Sequence, residues 1–362
     1  MRSYRFGLER LAAGAAMVAI LATALGPPTS AAAKSSNPYP NDNRLTLADV
    51  QMLGTHNSYH LRPDRQIVAG EPADYEHPPP DVQLSQQGIR SLEFDAFNSR
   101  SFPVFHSVIV DDKANCPTIE DCLRNLKSWS RAKPGHVPLF LIIEPKNLPT
   151  NPNPAIQQLI DNYAARRQLT NWDAASLDRM DSTVRRVFGR SLITPDEVRG
   201  KRATLRAAVL EDGWPTLAET RGRVLVLFLA SGPLLDAYLL HRPSLQHRAM
   251  FVPSDPDHPD AAIIKRDTPD PSFPALARQD FLIKTAADAD AVEARANNLT
   301  RATTALASGA HVVATDYPVP DPTIGPYVVQ LPGSAIARCN PVTAPKWCRT
   351  RDIENPEGLR KG

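Results

Sequence analysis

Cysteine is scarce in this sequence, net charge is almost absent, and beyond the amino terminus no apolar run is long enough to span a bilayer. Each shortage removes a class of function. The 362 residues carry 41 Lys+Arg against 39 Asp+Glu, a formal charge of +2. Without Arg2, Arg5, Arg10 and Glu9, which lie in a leader-like segment, the two signs balance at 38 each. A neutral chain has no electrostatic footprint for nucleic acid, and none is expected as a partner. The four cysteines fall into two close pairs, Cys116 with Cys122 and Cys339 with Cys348. Neither pair has the gap of roughly two to four residues that a zinc clip uses, and no histidine sits beside them. In an exported chain such pairs read as short-loop disulfides. There is no internal repeat, and the leader-like segment has no twin arginine.

What is present describes an exported globular chain. Residues 1–33 read as a secretory signal: three arginines precede an apolar run over 11–25, and Ser30-Ala31-Ala32-Ala33 offers small residues for cleavage. The run falls short of the ~18 residues of a membrane anchor, the other reading of this segment. The mature chain is expected to start near Lys34, to be secreted, to hold no integral membrane segment and to act as a monomer. Apolar residues make up 42% and charged residues 22%, ample for a core. The 35 prolines cluster in connections such as Glu76-His77-Pro78-Pro79-Pro80, which implies long ordered loops on a rigid scaffold.

β-rich apolar runs recur at 50–55, 91–97, 103–106, 139–144, 224–229, 249–252, 281–284 and 312–316. Helical signals lie between them at 118–130, 154–167, 176–188, 233–240 and 288–307. The run Leu139-Phe140-Leu141-Ile142-Ile143 has the continuous apolarity of a strand covered on both faces. Eight strands with mostly helical crossovers predict an α/β fold, a (β/α)8 TIM-like barrel in a single domain, rather than an open sheet. A long insertion follows the fourth predicted strand, and extra helices are expected in it. The organisation expected is an N-terminal extension over 34–49, a barrel over 50–318 and a disulfide-stapled tail over 319–362.

In such a barrel, chemistry sits at the carboxyl ends of the strands. The first predicted strand ends in His56 and Asn57, which can serve one site only if the chain bends there, between Gly54 and Ser58. The second carries Glu93 and Asp95, two apart and so on one face. The third ends in His106, the fourth in Glu144 followed by Lys146, the seventh in Lys284 and the eighth in Asp316. Any one of these acids by itself reads as a salt bridge or a cap; gathered at successive strand ends they read as a metal site. Hard oxygen donors without cysteine favour calcium or magnesium over zinc, and calcium is the expected ion. His56 and His106 then read as a proton-transfer pair. Lys146 and Lys284 suit a phosphate or plain solvation, and Asp316 suits a histidine, a substrate or a loop cap. The remaining histidines, His60 among them, read as structural or solvated.

Gly54-Thr55-His56-Asn57-Ser58-Tyr59, Leu92-Glu93-Phe94-Asp95, Val104-Phe105-His106 and Phe140-Leu141-Ile142-Ile143-Glu144-Pro145-Lys146, in this order, resemble the calcium-dependent phosphoinositide-specific phospholipases C, particularly the small secreted bacterial type. The resemblance runs from about Val50 to Pro318. It implies a barrel enzyme that meets phospholipid at a membrane surface and cleaves the glycerol-side phosphodiester of phosphatidylinositol, giving diacylglycerol and a cyclic or open inositol phosphate. It also implies that His56 stabilises the pentavalent state, that His106 protonates the leaving diacylglycerol, and that Asn57, Glu93, Asp95 and Glu144 hold Ca2+. The calcium-independent relatives carry aspartate after the first histidine, where this chain has Asn57. The groups with which intracellular relatives grip extra ring phosphates have no match here, so the unphosphorylated lipid is the expected substrate. Two other readings stay open. A glycerophosphodiester phosphodiesterase shares the barrel, the two histidines and the metal, but its first strand resembles His-Arg-Gly. A secreted, non-catalytic binding barrel has no need of a proton-transfer pair.

Overall fold

The apolar runs spaced along the chain assemble into one curved sheet in the computed structural model, which describes residues 38–63, 74–289 and 291–355. The expected leader over 1–33 and the start near Lys34 lie outside the described residues. The strands are β1 (Val50–Thr55), β2 (Ser91–Phe97), β3 (Leu139–Lys146), β4 (Leu192–Ile193), β5 (Val224–Phe228), β6 (Ile263–Lys265), β7 (Leu282–Ala286), β8 (Val312–Thr315) and β9 (Ala337–Cys339). They pair in the order β4-β5-β3-β2-β1-β8-β7-β6, all parallel, and β9 adds antiparallel to β1. Between β5 and β6 the ring is completed by isolated parallel rungs, Phe251 with Leu227 and Pro253 with Ile263. The result is an α/β barrel of the TIM type, whose interior and outer shell are filled by Val, Ile, Leu and Phe.

Local sequence accounts for the closest contacts. Gly54 lets β1 approach β2, because a Cβ there would stand 2.8 Å from the Cβ of Ser91. The helix α1 (Pro80–Gln86) opens on a proline, which suits its first turn. In α2 (Ile119–Ala132) the buried stripe Ile119, Cys122, Leu123, Leu126 and Trp129 recurs at helical spacing. Its amino end is capped by the Thr118 hydroxyl, which accepts from the Asp121 N–H at 3.2 Å. Thr118→Ala should therefore cost about 1 kcal/mol of stability, read from the denaturant midpoint with an unchanged m-value. A midpoint equal to the wild type would mean that solvent caps this end equally well.

Eight parallel strands are expected from the sequence and eight are present besides the antiparallel β9, but the membership differs. The run 103–106 is not a barrel strand: Val104 makes only an antiparallel bridge back to Ala96, and the Pro103 carbonyl accepts from the Phe97 N–H at 3.0 Å. Proline has no N–H for a ladder, so this segment folds over the end of β2 as a loop. The run 249–252 supplies only the rungs that close the ring. In their place the sheet has β4 and β6, two and three residues long and too short to show a period. The long connection thus follows the third barrel strand, and it holds α3 (Pro154–Arg167), α4 (Ala174–Phe188), the short β4 and further short helices. The helical signal over 288–307 is two helices, Val292–Arg295 and Thr300–Ala307, with Asn297 at φ +46° between them.

The tail is fixed to the base of the barrel. β9 pairs with the first half of β1, and the disulfide Cys339–Cys348 closes the loop beyond it. Arg90 and Glu354, both fully buried, form a bidentate ion pair in which Nε lies 3.0 and 2.9 Å from the two carboxylate oxygens. The second disulfide, Cys116–Cys122, joins the loop after β2 to the first turn of α2. Among the described residues no helix is long and apolar enough to cross a membrane.

Candidate active site and metal centre

β2 and β3 lie in register with Asp95 opposite Glu144, and Glu93 is two residues back on the same face of β2. One oxygen from each of Glu93, Asp95 and Glu144 falls within 4.8 Å of the others. Asn57 lies just past the end of β1, where the chain turns sharply. Its φ of +43° is in the left-handed region that asparagine tolerates, which is the bend the pair His56-Asn57 requires. The turn is stitched to β2: the Ser58 N–H donates to the Glu93 carbonyl and the Glu93 N–H donates to the Ser58 hydroxyl, each at 2.8 Å. Asn57 is locked in turn, its Oδ1 accepting from the Tyr59 hydroxyl at 3.2 Å and its Nδ2 donating to the Tyr75 hydroxyl at 3.0 Å.

The cluster is costly as bare charge. Burial pushes the Asp95 carboxyl up to about 7; the Lys146 ammonium opposes this, and the neighbouring Glu144 and Glu93 charges add to it. Asp95 Oδ1 and one oxygen of Glu93 are buried without a hydrogen-bond partner, while Asp95 Oδ2 meets the Lys146 ammonium. Converging oxygen donors short of partners fit a hard divalent cation, and they fit calcium, which accepts an irregular set of carboxylates and an amide oxygen.

The two histidines stand beside the cluster, each held through Nδ1 by a carboxylate. His56 Nδ1 lies 3.1 Å from Asp316 Oδ1, and His106 Nδ1 lies 2.9 Å from Asp111 Oδ2. Their side chains are 43% and 39% exposed, so each ring keeps its Nε2 for the open mouth. Burial lowers the His56 pKa, but the Asp316 carboxylate and then Glu93 outweigh it and carry it up to about 9. Asp316 is itself positioned by Asp288, whose Oδ1 accepts its N–H at 3.0 Å. Tyr75 and His60 fill the space between the imidazoles: ring centroids run 6.5 Å from His56 to Tyr75, 4.6 Å on to His60 and 6.3 Å on to His106.

Each expected catalytic, metal or substrate residue lies on a barrel strand or on the loop that follows one, though not all in the expected posture. Lys146 Nζ lies 2.8 Å from Glu144 and 3.1 Å from Asp95. Lys284 is 2% exposed and lies 2.9 Å from Asp267 and 3.8 Å from Glu93, so it is a counter-charge within the wall. Two partners escaped the sequence reading. Asp111 holds His106 and, through both oxygens at 3.0 Å, His60 Nε2. Although burial raises the Asp111 carboxyl, these two imidazoles bring it down to about 2. His60 is buried and hydrogen-bonded to Asp111 and to the Tyr75 carbonyl, the structural of the two readings given for it, and Asp267 belongs to the Lys284 wall. An aspartate five residues after His106 carries no strand or helix period; only the tight hairpin with the Ser107–Asp111 bridge brings it back.

A parallel barrel with acids and carboxylate-held imidazoles at the carboxyl ends of its strands is a scaffold suited to metal-assisted acid–base chemistry. A profile of the family described as phosphoinositide phospholipase C, Ca2+-dependent, matches residues 96–341, a span that includes His106 and Glu144 and begins after His56, Asn57, Glu93 and Asp95. The chain belongs to this Ca2+-dependent family. Among solved structures, a calcium-dependent phosphoinositol-specific phospholipase C from Pseudomonas sp is 18% identical with a TM-score of 0.56, over 83% of this chain and 97% of that one. The Ca2+-dependent phosphatidylinositol-specific phospholipase C of Streptomyces antibioticus is 18% identical with a TM-score of 0.51, over 76% of this chain and 95% of that one. Both establish the common fold. No curated protein sequence matches the chain.

Proposed function

We propose that the chain is a secreted, monomeric, phosphatidylinositol-specific phospholipase C that works at a phospholipid surface. The reading rests above all on two carboxylate-held imidazoles flanking one cluster of three acids. Glu93, Asp95, Glu144 and Asn57 would hold the ion. Calcium bound there supplies a lowered pKa at the inositol 2-hydroxyl and charge neutralisation at a phosphoryl oxygen. Glu144, or an acid beside it, takes the proton of that hydroxyl. His56, kept cationic by Asp316, donates to a non-bridging oxygen of the five-coordinate phosphorus. His106, oriented by Asp111, gives its Nε2 proton to the departing glycerol oxygen. The products are diacylglycerol and an inositol phosphate, cyclic or open. The domain scheme of leader, extension, barrel and stapled tail accompanies this reading, and both disulfides suit an oxidising compartment.

Incubation with defined phospholipids, with and without a chelator, tests it. Diacylglycerol and inositol phosphate should appear from phosphatidylinositol and disappear with chelation. Release of glycerol phosphate instead would favour a glycerophosphodiester phosphodiesterase, and product formation indifferent to chelator would exclude calcium from the chemistry.

A further inference from the structure

The donors assigned to calcium are in direct contact with a cation of the protein's own. Lys146 leaves β3 two residues after Glu144, on the same face, and its ammonium lies 2.8 Å from Glu144 Oε1 and 3.1 Å from Asp95 Oδ2. Two of the three clustered carboxylates are therefore engaged by one side chain. Its backbone is fixed, since Lys146 is in register with Phe97 on β2 and its carbonyl accepts from the Trp172 indole N–H at 3.0 Å. The four-carbon stem is what can move. The side chain is 25% exposed, so the ammonium has a path to solvent that Lys284, at 2%, lacks. Lys284 is also fastened to Asp267 at 2.9 Å.

An ammonium at hydrogen-bond distance from Glu144 and Asp95 and a calcium ion at roughly 2.3–2.6 Å from the same oxygens cannot share them. We propose that Lys146 contends with calcium for Glu144 and Asp95, so that its displacement sets the affinity of the metal site. The assignment rests on the calcium reading given above and is distinct from the phosphate contact or plain solvation expected for this residue. Its purpose is legible in the environment. A bare trio of acids would bind calcium tightly and would repel itself without it. A lysine that fills the gap holds the trio together and weakens calcium binding toward the roughly millimolar range that suits extracellular sites. Lysine serves here where arginine would not, because a compact ammonium on a flexible stem leaves more readily than a bidentate guanidinium.

Calorimetric titration of calcium into the full chain and into Lys146→Met is the test, since methionine keeps the stem and removes the charge. Lys146→Met should bind calcium about tenfold tighter or more, the charge term being worth at least that factor at this separation. The same variant should melt at a lower temperature than the wild type in chelator and gain more from saturating calcium. A second measurement needs no variant: amine acylation of the wild type followed by peptide mapping. Calcium should raise labelling of Lys146 severalfold relative to the exposed Lys201, which stands away from the site. Calcium affinity that is equal or weaker in Lys146→Met, or Lys146 labelling indifferent to calcium, overturns the proposal while leaving the metal site in place. Failure of the wild type to bind calcium at all removes both.

Discussion

Replacing His106 by Ala is expected to lower turnover of phosphatidylinositol by about 100-fold or more, the usual consequence of removing a positioned acid. The geometry makes the result interpretable. His106 sits on the loop after β2 with its side chain 39% exposed, so truncation opens no cavity in the core. Asp111 is not left as a lone buried charge, because it keeps both contacts to His60 at 3.0 Å. Melting temperature and calcium binding should therefore stay at wild-type values while kcat falls. The substrate can separate acid catalysis from positioning. A phosphodiester whose leaving group is a weakly basic phenol needs little protonation, so the variant should recover most of its deficit on it. Undiminished turnover of the natural lipid would take His106 out of the mechanism. An equal loss on both substrates would make it a positioning group.

Glu93→Gln should weaken calcium binding by about 10- to 100-fold and shift the calcium optimum for activity upward by a similar factor. The substitution keeps the shape of the side chain and one oxygen donor while deleting a charge from the trio. Local structure is secured by groups that the change does not touch, namely the two reciprocal bonds between residues 58 and 93. Lys284 retains Asp267 at 2.9 Å, so no ammonium is stranded in the wall. Calorimetry and an activity titration in calcium-buffered solution should agree on the shift, and excess calcium should restore much of the rate. An unchanged metal dependence would place the ion elsewhere.

How much of this was readable in advance follows from the range of the forces involved. The strands β3, β5 and β8 announce themselves as near-continuous apolar runs that must be buried on both sides, and β1, β2 and β7 as apolar β-rich stretches broken by polar residues. β6 does not, since three residues carry no period, and the stretch 103–106 mimics a strand through Val104 and Phe105 although Pro103 rules out a regular ladder. Glu93 and Asp95 were visible as a pair because strand alternation is strictly local. Their neighbour Glu144 was visible because a charge ending an apolar strand is conspicuous. By contrast Asp111, His60 and Tyr75 join the site through a hairpin and a loop return, and nothing in their own neighbourhoods states where those turns lead. Lys146 drew notice as a lysine ending an apolar strand, yet which oxygens its ammonium would meet depends on the β2–β3 register.

The ring has a weak stave. On the side opposite β1, closure depends on isolated rungs: two bonds at Phe251, to Val226 and from Phe228, and the Ser254 N–H donating to the Ile263 carbonyl at 3.2 Å beside Pro253. Neighbouring staves such as β2 and β3 are zipped over seven aligned residue pairs. Breathing of the hoop should begin at the poorly fastened side, far from the imidazoles and acids, so the half of the molecule that performs chemistry can stay taut while the other half loosens.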